Sequence, residues 1–188
     1  MKLYLWIIGV AAVIISSLNI IFKVAAWYYV IIAVIFCAAL QFVLDISIAL
    51  LVRLSPDRWY GIDNPCFKVS ERAKKIYKVL KVRHWKDKVW ELGGLGGFSK
   101  KRLKEPNNPD YVKKFIIECN KGVVTHRLSY PIGFLAMLML PGIPSLTIAL
   151  PVAIINLFLN VLPTIVLRYN TPKLKSKLKL LNRRNADR

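Results

Sequence analysis

Negative charge is scarce in this 188-residue chain: 10 Asp and Glu stand against 29 Lys and Arg, a formal net charge of +19. Histidine occurs only twice, as His84 and His126, so a histidine-rich metal centre cannot be built. The three cysteines, Cys37, Cys66 and Cys119, form no CxxC pair and have neither zinc-site nor disulfide-framework spacing, which fits a cytoplasm-facing protein. No metal or cofactor is expected. Apolar residues are not scarce. At 55% of the chain they exclude disorder over most of its length. A soluble globule with that content would not carry so lopsided a charge, and the two properties are indeed segregated. Apolar runs fill roughly 3–52 and 128–167, while charge lies between and after them. The chain is one domain's length and reads as an all-α integral membrane protein.

A spanning helix needs about 20 apolar residues. Leu3 to Phe22 supplies one, and Val24 to Val52 supplies a second, broken only by Gln41 and Asp45. One continuous helix over both would reach about 75 Å, so a turn must intervene, either near Lys23 or at Ser16-Ser17-Leu18-Asn19. Lys2, an apolar core and small residues also resemble a signal peptide, but the immediate second apolar run favours an uncleaved hairpin. In the second apolar region, Pro141-Gly142-Ile143-Pro144 is the strongest turn signal. It separates a short arm, 129–140, which spans or re-enters, from a full span, 146–167. Of the 29 basic residues, 19 lie from Arg53 to Arg127 and 8 from Arg168 to Arg188. With Lys2 they place both termini and the central segment in the cytoplasm by the positive-inside rule. The expected organisation is two transmembrane hairpins, 1–53 and 128–167, flanking a basic cytoplasmic segment, 54–127, with a basic tail, 168–188.

In the central segment, Ser70 is placed to cap a helix whose apolar positions are Ala73, Ile76, Tyr77 and Leu80, with lysines and arginines on its other faces. Such a helix suits anionic lipid headgroups. The membrane accounts for the basic charge and no nucleic-acid motif is present, so no nucleic acid is expected as partner. Trp85 and Trp90 suit headgroup level. Gly93-Gly94-Leu95-Gly96-Gly97 precedes Lys100-Lys101-Arg102, where backbone N–H groups and positive charge can meet a phosphate, although no Walker pattern follows. A third stretch, Asp110 to Arg127, puts Val112, Phe115, Ile116, Cys119, Val123 and His126 on one face.

Gln41 and Asp45 form an i, i+4 pair within the second span, and Asn156 and Asn160 a similar pair in the last. Polar groups at such depth are costly and face a partner or cavity. Two roles stand open for Asp45: pairing with Arg53 or a loop lysine to lock the helices, or lining a substrate groove.

The motifs Val82-Arg83-His84-Trp85-Lys86-Asp87-Lys88 and Gly96-Gly97-Phe98-Ser99-Lys100-Lys101 resemble the glycosyl-4,4'-diaponeurosporenoate acyltransferase family. So do Ile117-Glu118 with Lys121, Gly122 and His126, and Asn160 followed by Arg168-Tyr169-Asn170-Thr171-Pro172-Lys173-Leu174. The resemblance covers about 76–184. It implies a small bacterial membrane enzyme that esterifies a sugar hydroxyl of a glycosylated carotenoid with a fatty acyl group. Where the family pattern has Glu, Trp and a second Arg, this chain has Val123, Arg127 and Thr171, so His126 has no carboxylate one turn before it.

Acyl transfer needs a base, positive charge for a donor such as acyl-CoA, oxyanion donors and a slot for the acyl tail. His126 is the candidate base, since an unperturbed imidazole titrates near neutral pH. Glu118 lies about 12 Å away along a helix and cannot orient it unless Gly122 breaks that helix; Asp87 is a freer candidate. Arg83, Trp85, Lys86, Gly96, Gly97, Phe98, Lys100, Lys101 and Arg102 are expected to hold the donor, with Asn160, Arg168, Tyr169 and Asn170 closing a site for a lipid-embedded acceptor. The alternatives are a non-catalytic adaptor or lipid-binding subunit, and an acyltransferase directed at a different glycolipid.

Overall fold

The computed structural model describes residues 2–89 and 103–186, and among these no strand occurs. The helices are α1 (Lys2–Ile21), α2 (Trp27–Leu54), α3 (Glu71–Val79), α4 (Val82–Trp85), α5 (Pro109–Ile132), α6 (Ala136–Met139) and α7 (Leu150–Ala186). A π-helical turn, Ser145–Ala149, leads into α7. Among the described residues three segments are long and apolar enough to cross a bilayer: Tyr4–Ile21, Trp27–Leu54 and Ser145–Ala186. Large side chains on the first two, such as Trp6, Val13, Ile32 and Ile35, are exposed. Water would penalise them and lipid does not, which marks a membrane protein.

The turn between α1 and α2 is at Lys23. The Val24 N–H donates to the Asn19 carbonyl at 3.0 Å and the Lys23 N–H to that of Ile20 at 3.1 Å, the paired bonds of a Schellman cap. Lys23 has φ +51°, a left-handed conformation usually left to glycine. The Ser16–Asn19 stretch stays helical, with Asn19 donating to the Ile15 and Thr147 carbonyls at 2.8 and 3.0 Å.

Two compact units emerge. The first is Met1–Leu51 with Thr125–Val161; the second is Val52–Val124 with Leu162–Arg188. The core of the first joins Ile15 of α1 and Val30, Ala33, Val34 and Cys37 of α2 to Ala136, Leu140, Ile148 and Ala149. Its alanines permit close helix approach, as expected where packing rather than water exclusion drives association. Gly142, at φ +64°, makes the turn after α6 that the Pro-Gly-Ile-Pro sequence predicts.

In the second unit Val112, Phe115, Ile116, Cys119 and Val123 of α5 bury the face expected of them, against Leu167, Leu174 and Leu181 of α7. Asn108 caps α5, accepting from the Asp110 and Tyr111 N–H groups at 3.1 and 3.2 Å, with Pro109 at the first helical position. Ser70 caps α3 through the Ala73 N–H at 3.2 Å. Of the apolar positions expected to share a face of α3, Tyr77 is buried against Val69 and Val82 with Ala73 beside it, whereas Ile76 and Leu80 are exposed.

Neither α5 nor α7 stops where the composition changes. α5 runs unbroken past Gly122 and Arg127 through Pro131, so residues 129–140 are the end of α5, a 3-10 turn at Gly133–Leu135 and α6. α7 continues past Leu167 through Pro163 and Pro172. Each proline forfeits one N–H donor, which a long helix survives, and backbone hydrogen bonding is indifferent to a switch from apolar to basic side chains.

Candidate functional site

The two i, i+4 pairs on α2 and α7 meet in the first unit and build a polar chain through apolar surroundings. Gln41 donates its amide N–H to the Gly133 carbonyl. Asn156 Nδ2 donates to Gln41 Oε1 at 2.9 Å. Asn160 Nδ2 faces three acceptors: the Asn156 carbonyl at 3.0 Å, Asn156 Oδ1 at 3.1 Å and Asp45 Oδ2 at 3.3 Å. Asn160 Oδ1 lies 2.8 Å from His126 Nδ1. Gln41, Asn156 and Asn160 are buried, and Asp45 and His126 are half-buried. The Ser129 hydroxyl, one turn beyond His126 and buried, lies beside the Asp45 carboxylate without forming a well-directed bond.

This arrangement decides the histidine tautomer. With its NH2 aimed at three acceptors, Asn160 must turn its oxygen toward His126. His126 Nδ1 therefore carries the hydrogen, and Nε2 holds the lone pair that a general base requires. Among the described residues Asp45 pairs with neither Arg53 nor a lysine; its close partner is the Asn160 amide. Gly133 leaves room for the two amides. A Cβ there would lie 3.1 Å from both Asn156 Nδ2 and Gln41 Oε1.

The other candidates fall elsewhere. Glu118 is half-buried on α5 in the second unit; because Gly122 does not break the helix, it stays two turns before His126 and does not orient it. Asp87 is exposed and pairs with Lys86 at 2.9 Å. Arg83 and His84 are exposed, while Trp85 Nε1 donates to the Leu80 carbonyl at 2.9 Å. Arg168 donates to the Lys68 carbonyl at 3.4 Å. Tyr169 packs edge-on against Tyr77 with ring centroids 6.4 Å apart, beneath Lys173 Nζ at 4.1 Å. Asn170 is half-buried. Gly96, Gly97, Phe98, Lys100, Lys101 and Arg102 lie outside the described residues, as do Trp90, Gly93 and Gly94. Of the expected site residues, His126 and Asn160 are thus brought together, joined by Asp45, Gln41 and Asn156, whose depth alone had marked them. Ser129 and Gly133 were not anticipated; the spacing of Ser129 three residues after His126 was the available signal.

The second unit holds an ion pair between Lys121 Nζ and Asp57 Oδ1 at 2.6 Å, with the ammonium 5.6 Å from the Tyr60 ring centroid. Asn120 Nδ2 donates to the Tyr60 carbonyl at 2.9 Å. A shallow hollow of about 530 Å³ in this unit is bordered by Lys175, Lys179 and Arg183.

Residues 56–180 match the family model described as glycosyl-4,4'-diaponeurosporenoate acyltransferase. No curated protein and no solved structure matches the chain.

Proposed function

Because the chain belongs to the glycosyl-4,4'-diaponeurosporenoate acyltransferase family, a family of carotenoid-pathway acyltransferases, we propose that it moves a fatty acyl group from acyl-CoA to a sugar hydroxyl of a membrane glycolipid or glycosylated carotenoid, with His126 as the base. The observation that carries this reading is the fixed tautomer of His126, which leaves Nε2 able to accept a proton. The acceptor hydroxyl gives its proton to Nε2 as its oxygen attacks the thioester carbonyl. Collapse of the tetrahedral intermediate breaks the C–S bond, and the departing thiolate takes the proton back from Nε2. The products are the ester and free CoA thiol. The basic cluster at Lys100, Lys101 and Arg102 offers charge to the donor's phosphates.

The test is acyl transfer to extracted acceptor lipid, normalised to membrane-inserted protein. General-base assistance is worth about 10²–10⁴ in rate, so His126→Gln is expected to lose at least two decades. His84→Gln, on an exposed residue, is expected to lose far less. An unchanged rate for His126→Gln would leave the adaptor reading in front.

The same reading places segments 54–127 and 168–188 in the cytoplasm, between and after the hairpins 1–53 and 128–167, on the strength of their 26 basic residues among 29. Cys66 is exposed and unpaired, which makes it a native reporter. An impermeant maleimide applied to intact cells is expected to miss it and to label it once the cells are permeabilised. Labelling from outside would reverse the topology.

A further inference from the structure

Resting on His126 as the base, we infer that Asp45 is the positioning carboxylate for His126, acting through Asn160, so that α2 is part of the active centre rather than an anchor. Asp45 precedes the family-matched segment, which begins at residue 56. Within that segment, residue 123, one turn before the histidine, is a buried valine in the second unit's core. Glu118 stays two turns back on an unbroken helix. The carboxylate that the imidazole lacks on its own helix arrives from another. Asp45 Oδ2 accepts from Asn160 Nδ2 at 3.3 Å, and Asn160 Oδ1 faces His126 Nδ1 at 2.8 Å.

The relay performs two tasks. It holds the Asn160 amide the right way round, keeping the hydrogen on Nδ1 and the lone pair on Nε2. It also sets a negative charge two bonds of the hydrogen-bond chain away from the imidazolium that forms when Nε2 takes the acceptor's proton. Asn156 contributes to the first task only, since it is neutral and its carbonyl and Oδ1 accept from the same NH2. In the apolar unit a carboxylate with amide and hydroxyl neighbours interacts with a nearby imidazolium less screened than at a wet surface.

Exchanging the two members of the relay tests this. Asn160→Leu removes the acceptor for Nδ1 and is expected to lower kcat about a hundredfold with KM changed less than about twofold, as for a loss of transition-state stabilisation alone. Asn160→Asp by itself sets two carboxylates side by side, so that one must hold a proton; at least a tenfold loss of kcat is expected. The double variant Asp45→Asn with Asn160→Asp restores a single carboxylate, now directly on Nδ1 and steadied by the new amide at position 45. It is expected to recover to within about tenfold of wild type, above Asn160→Asp alone, a non-additivity that damaged packing does not produce. A double variant no better than Asn160→Asp, or losses confined to KM, would overturn the relay. If His126→Gln is inactive while Asn160→Leu keeps its kcat, the base stands and the relay falls. If His126→Gln is fully active, the base itself falls.

Discussion

Two aspartates show how the two units use the same side chain. Asp57, in the second unit, meets a cation directly: its Oδ1 lies 2.6 Å from Lys121 Nζ, and its own side chain is 60% exposed. Asp45, in the first unit, closes on the Asn160 amide. Where water reaches one partner, a pair like Asp57–Lys121 works as a latch of modest worth. Where lipid and apolar side chains surround the group, neutral donors can satisfy a carboxylate without cancelling its charge. That charge remains available to a histidine. The carboxylate of the second unit is neutralised by a lysine, whereas that of the first sits beside a neutral donor and keeps its charge.

The sharpest way to break this contrast is at Gly133. Its missing side chain lets the Gln41 and Asn156 amides close over the backbone, and a Cβ would sit 3.1 Å from each. Gly133→Ala therefore asks both amides of the chain that ends in Asn160 and His126 to give by a few tenths of an ångström. Overpacking typically costs about 1–3 kcal/mol, so a clear fall in detergent-solubilised thermal stability is expected. Because these amides lead to Asn160 and His126, a fall in rate is expected beside the fall in stability. Wild-type kinetics in this variant would mean that the polar chain is not coupled to the chemistry.

Much of this was legible in the residues themselves. The apolar runs announced helices, the Pro-Gly-Ile-Pro turn was found in place, and the spacing of Val112 to Val123 named a buried face correctly. Periodicity could not say that α5 and α7 run through the changes of composition, because helix continuity is a backbone property and Pro131, Pro163 and Pro172 read as breakers. The depth of Gln41, Asp45, Asn156 and Asn160 flagged them as costly, yet only the packing of three helices shows that they hydrogen-bond in series. His126 was legible by its rarity. Its orienting group was not, because it lies 81 positions earlier in the chain.

The smallest expected effect sharpens the contrast most directly, because the same substitution can be made in both units. Val30 on α2 and Val112 on α5 are both fully buried, the first against Ile15, Ala33 and Ala149 and the second against Phe115 and Leu167. Truncating a valine in a water-exposed unit loses the transfer of about two methylene equivalents plus a cavity term, about 2 kcal/mol. In a bilayer, lipid tails solvate the removed methyls as well as the core does, so only the packing share is lost, about half as much. Val112→Ala is therefore expected to destabilise by about 1 kcal/mol more than Val30→Ala, both measured by unfolding in mixed micelles with two probes, one in each unit. Equal losses would show that both cores meet the same solvent and would count against the proposed placement of the first unit in lipid and of the second in water.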